Sequence, residues 1–85
     1  MVHHLKIKAT FADAVLSGAK TFEIRKNDRG FQKGDDIVFS VVNDYGRSVA
    51  HELNNHMYHI TYVLSGWGLK RDYCVLAIRK IAREG

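Results

Sequence analysis

The segment Ile37-Val38-Phe39-Ser40-Val41-Val42 is the strongest folding constraint in the chain. It is long, rich in β-branched residues, and bounded by Lys33-Gly34-Asp35-Asp36 before it and Asn43-Asp44-Tyr45-Gly46-Arg47 after it. β-Branched side chains fit a pleated surface, and the flanking residues are turn formers, so the segment predicts a central, well-buried strand. Met57-Tyr-His-Ile-Thr-Tyr-Val-Leu-Ser65, ended by Gly66, and Tyr73-Cys-Val-Leu-Ala-Ile-Arg-Lys-Ile81 have the same character. Leu5 and Ile7 alternate with Lys6 and Lys8, which predicts a short first strand with one face inward. Residues 21 to 25 also run with period two, placing Phe22 and Ile24 toward the core and Thr21, Glu23 and Arg25 on the other face. Residues 49 to 53 are expected to return as a further strand. One helix interrupts the pattern: Thr10 as its cap with Asp13 three residues on, Phe11, Ala14 and Val15 on its inner side with Leu16 beside them, and Gly18 as its left-handed stop.

A chain of 85 residues supports one core, so a single domain over residues 1–85 is expected. About five strands with short connections usually close into a small barrel, which removes exposed edges. The expected class is α+β, mostly β, a barrel of about five to six strands with one or two short helices. No apolar run approaches the roughly 20 residues that span a bilayer as a helix, and the first residues lack a secretion-signal core. Cys74 is the lone cysteine, so no intrachain disulfide is expected and a cytoplasmic location follows as the expectation.

The net charge of +4 is unevenly spread. Lys20, Arg25, Lys26, Arg29 and Lys33 form one basic segment; Lys70, Arg71, Arg79, Lys80 and Arg83 form a second. Brought together, they would give a footprint for phosphate. No metal or cofactor is expected. His3 and His4 sit together near the start, while His56 and His59 lie three apart and face opposite sides of a strand. A thiol within the apolar strand around Cys74 behaves as a small hydrophobe, and neither a nucleophile elbow nor a glycine-rich phosphate loop occurs. Trp67 reads first as a loop anchor packed on the core, with base stacking as its other use.

The residues around Gly18 to Arg25 carry the most chemistry. Thr21, Glu23 and Arg25 on one strand face span about 13 Å, with Lys20 at the junction behind them. A glutamate can accept from an exocyclic amine while arginine and lysine meet phosphate or carbonyl oxygens. The same set suits acid–base work, and a surface salt-bridge strip is the plainer alternative.

Gly18-x-Lys20-x-x-Glu23-x-Arg25, then Asn27-Asp28-Arg29 and Gly34-Asp35 before a β-branched strand, resemble the small ASCH-type domains (activating signal cointegrator homology), a branch of the PUA-like fold. The resemblance runs nearly the whole chain and is nearest to a bacterial and phage group labelled RNA-binding. It implies a small barrel with helices closing its openings, and RNA or a modified nucleoside as ligand. Lys20, Glu23 and Arg25 would line a cleft, with Arg29 and Lys6 at its rim and Thr21 on the same strand face. One subgroup hydrolyses an acetylated cytidine with the motif lysine, a threonine three residues later and a glutamate elsewhere; here that position holds Glu23. The leading expectation is therefore an RNA- or nucleotide-binding module. A small amidohydrolase acting on an acylated nucleoside, with Lys20 as base or electrostatic catalyst and Glu23 as proton carrier, is the alternative, and a protein-interaction domain is the third.

Overall fold

The computed structural model describes residues 1–81 as β1 (Val2–Lys8), α1 (Ala9–Ser17), β2 (Phe22–Lys26), β3 (Asp36–Val42), a 3₁₀ turn (Glu52–Asn55), β4 (Met57–Ser65) and β5 (Tyr73–Lys80). The strands form one sheet in the order β1-β3-β4-β5-β2. β1 runs parallel to β3, and the other pairings are antiparallel. β3 is an interior strand, as its composition predicts. β1 and β2 are the two edges of the ladder, yet side chains following and within β2 reach carbonyls of β1. The sheet therefore curls into a half-barrel whose gap lies between β1 and β2. A register shift between Ile60 and Tyr62 interrupts the β4–β5 ladder, and such a bulge increases the local bend that curling requires.

The concave face holds the core. Leu5, Ile37, Phe39, Ile60 and Leu76 come from four of the strands and are almost wholly buried. Each contributes roughly 1.5–3 kcal/mol of transfer free energy, which is what closes the sheet over α1. Cys74 is fully enclosed, and burial pushes its thiol pKa up, as its apolar strand predicts.

Several expectations are corrected here. α1 starts at Ala9, one residue before Thr10, and its cap position is Lys8, whose side chain makes no capping hydrogen bond. Its inner residues are Ala12 and Val15, while Phe11 is about half exposed and Asp13 bonds His51 instead of the helix start. Gly18 does end the helix, at φ 86°, donating its N–H to the Val15 carbonyl at 3.2 Å. Residues 49 to 53 form no returning strand beyond the isolated bridge of Ser48 to Val42. The Asn54 side chain replaces that ladder: its Oδ1 accepts from the Val41 N–H at 2.8 Å and its Nδ2 donates to the Val49 carbonyl at 3.0 Å. Trp67 is not packed on the core; it is 90% exposed at the tip of the β4–β5 connection, with φ 51°.

At the end of the barrel where β1 begins, His3 is buried against Asp35 at 2.8 Å and stands edge-on to Phe31 at 4.7 Å. Asp35 also accepts the Gln32 N–H. The His3 hydrogen bond in particular holds the Asp35 carboxyl below its ordinary range.

Candidate functional site

β2 positions the site, and its register explains how. Glu23 pairs with Leu76 and Arg25 with Cys74, residues that point into the core. Partners across an antiparallel ladder share a face, so Glu23 and Arg25 point inward while Phe22 and Ile24 turn outward. This inverts the expected orientation: Phe22 is 42% and Ile24 53% exposed, against 6% for Glu23.

A carboxylate so deeply placed must be neutralised and hydrogen-bonded. Glu23 Oε1 accepts from Lys20 Nζ at 2.7 Å, and its Oε2 accepts from Arg25 Nε at 3.1 Å. Lys20 Nζ also donates to the Phe22 carbonyl at 2.8 Å. The same ammonium lies 4.9 Å from the centre of the Phe22 ring and 5.4 Å from that of Phe11. Lys20 is thus held by a carboxylate, a carbonyl and two aromatic rings, an arrangement that fixes a charge at one place.

Arg25 carries the network across the gap by donating from Nη2 to the Lys6 carbonyl, and Arg29 donates to the His4 carbonyl at 3.0 Å. Met1 uses its carbonyl to pair with Asp36 of β3, so residues of even number in β1 turn their backbone away from β3. Arg25 and Arg29 therefore stand where a neighbouring strand would have bonded. The half-barrel is stitched by guanidinium groups instead of a ladder, which leaves room between its edges.

That room is a cleft of about 590 Å³, within the range of small-molecule sites. Lys6, Lys8, Lys20 and Arg25 supply its positive charge; Phe11, Phe22 and Ile24 supply apolar wall. Lys6, Lys20, Glu23 and Arg25 all line this cleft. Thr21 does not: it lines a separate hollow on the far side of Lys20, and Arg29 is anchored on β1 outside the cleft lining. Sequence reasoning missed Lys8, Phe11, Phe22 and Ile24. The available signal was two phenylalanines within reach of a lysine that follows a helix-ending glycine.

Pairing of β2 with β5 also sets the two basic segments side by side. The Asn27 N–H donates to the Asp72 carbonyl at one end of the pair, and the Ile78 N–H to the Thr21 carbonyl at the other. Arg83, counted with the second segment, lies outside the described residues. Four of the five histidines are occupied separately: His3 with Asp35, His51 with Asp13, His56 with Glu52 and His59 with Asp36, each in its own part of the fold.

A curled five-stranded half-barrel, stitched by arginines and opening into a basic, aromatic-walled cleft, defines the class of protein. The chain belongs to the family described as "Domain of unknown function (DUF3850)", whose pattern matches residues 2–78. It is also similar to the "Uncharacterized 12.9 kDa protein in GpA 3'region" of Escherichia phage P2, with 40% identity over 37 residues. That match covers 44% of this chain and 34% of the phage protein, so the chain aligns with about a third of its relative's length. No helix among the described residues is long and apolar enough to cross a membrane.

Proposed function

We propose that the cleft between β1 and β2 binds RNA or a nucleotide, and that the family is a branch of the ASCH, PUA-like group. The observation that carries the reading is the surround of Lys20: a pinned ammonium between two partly exposed phenylalanine rings, at a cleft edged by Lys6, Lys8 and Arg25. Single-stranded nucleic acid is bound by this combination, with bases stacking on rings and cations following the backbone. Glu23 has both oxygens engaged by cations, so its part is to position Lys20 and Arg25. The bases meet Phe11, Phe22 and Ile24, while Lys6, Lys8 and the free edge of Arg25 meet phosphates of neighbouring nucleotides along the strand.

Fluorescence anisotropy with a short single-stranded RNA at low salt tests the proposal. Affinity should fall as salt rises, with a logarithmic slope of about −0.7 for each phosphate engaged. Phe22→Ala should cost about 1–3 kcal/mol of binding through lost stacking, without loss of fold, because the ring is already exposed. Equal affinity of wild type and Phe22→Ala, or no binding at any salt, would overturn it.

One observation favours a second reading. The Lys20–Glu23 contact of 2.7 Å sets an ammonium beside a carboxylate in a part-buried cleft, two groups of the kind that move protons in the hydrolysis of an acylated nucleoside. No serine, threonine or cysteine lines the cleft, so the attacking group would be water. Turnover of an acylated nucleoside by wild type that disappears in Lys20→Ala supports this reading; turnover that is equal in both removes it.

A further inference from the structure

A second hollow, about 410 Å³, lies between the C-terminal end of α1, the start of β2 and the end of β5. Among the described residues its polar and charged lining is Ser17, Lys20, Thr21, Tyr58, Arg79 and Lys80, with no carboxylate. We propose that this hollow receives the phosphate of a nucleotide whose base lies in the β1–β2 cleft, an inference that rests on the cleft being a nucleotide site.

Three observations carry it. Lys20 lines both hollows, so the two adjoin at that residue. Its ammonium is committed to Glu23 on the cleft side, so the positive charge of the second hollow comes from Arg79 and Lys80, both exposed and outside every ion pair among the described residues. A helix C-terminus ordinarily repels an anion through its free carbonyls. Here the Ala14 carbonyl accepts from Ser17 Oγ and the Lys20 N–H, and the Val15 carbonyl accepts from the Gly18 N–H and the Tyr58 hydroxyl. Two of the last-turn carbonyls are thus already satisfied, which weakens that repulsion. Thr21, absent from the cleft lining, lines this hollow and adds a hydroxyl to its donor set.

The chemistry required is a phosphate ester one sugar away from a base, whether a mononucleotide's terminal phosphate or an internucleotide link of RNA. Calorimetry at low salt compares the four ribonucleosides, their 5′- and 3′-monophosphates, and a tetranucleotide. For wild type, one class of monophosphate should bind at least about tenfold tighter than its nucleoside, as charge-assisted bonds imply. Arg79→Ala/Lys80→Ala should erase that advantage and leave the nucleoside affinity unchanged. Thr21→Val, which removes no charge and leaves the strand intact, should erase part of it. Loss of tetranucleotide affinity in the double variant assigns the hollow to an internucleotide phosphate; loss confined to the monophosphates assigns it to a terminal one. Nucleoside and monophosphate binding equally, or an advantage that survives the double variant, overturns the inference while the cleft stands. No binding of any probe overturns the cleft reading itself.

Discussion

At Glu23 a carboxylate with 6% of its surface exposed meets two cations that keep 18% and 25% of their side-chain surface in water. Lys20 and Arg25 can rehydrate when the partner is lost, so the penalty falls on the network's geometry more than on stranded charge. Glu23→Gln, which keeps shape and removes charge, should lower stability by about 1–3 kcal/mol, read as a shift of the urea midpoint. An unchanged midpoint would mean that the guanidinium stitch to β1 holds without it. Asp35 makes a prediction of opposite pH character to a histidine switch. Its folded pKa is depressed by the His3 hydrogen bond, so its stabilisation is fully present above the unfolded value near 4 and is lost as pH falls through the folded one. The difference in melting temperature between wild type and Asp35→Asn should therefore be widest above about pH 5 and close on acidification toward pH 2. A difference that is constant with pH would show that the pairing contributes through shape alone.

Among the elements, α1 and β2 show where sequence pattern stops deciding structure. The N-cap position of α1 holds Lys8 in an extended conformation with no capping bond, although the site suits a short oxygen-bearing side chain. Lys8→Ser should stabilise the fold by about 0.5–2 kcal/mol in denaturant titration while weakening RNA, because Lys8 is part of the cleft. Stability and binding moving in the same direction would contradict that assignment. The strands β3, β4 and β5 were legible because β-branched and apolar runs between turn residues have few other places to go. The period of β2 was legible too, but not its polarity. Phenylalanine and isoleucine beside glutamate and arginine name two faces without saying which is inner, and the usual preference for buried apolar side chains picks the wrong one. What reverses it is the ladder with β5, a contact between residues far apart in sequence. The missing strand at 49 to 53 has a similar origin: one side-chain amide, Asn54, makes the bonds that a β-ladder would have made.

For the molecule as a whole, the fold turns two basic segments that are distant in sequence into neighbours and leaves one edge of the barrel unladdered beside them. The charge pattern made the two basic segments legible, whereas the cleft depends on a gap that only the strand order reveals. The motif residues Lys6, Lys20, Glu23 and Arg25 converge there, joined by rings that sequence assigned to the core. The proposal stands or falls on whether that gap is where nucleic acid sits. The most direct measurement is a chemical-shift titration of isotope-labelled protein with a short single-stranded RNA at low salt. The expected result is perturbation concentrated at Lys6, Lys8, Phe11 and residues 20 to 25, greatly reduced in Arg25→Ala. Perturbation confined to the exposed Trp67 connection, or none at saturating RNA, would contradict it.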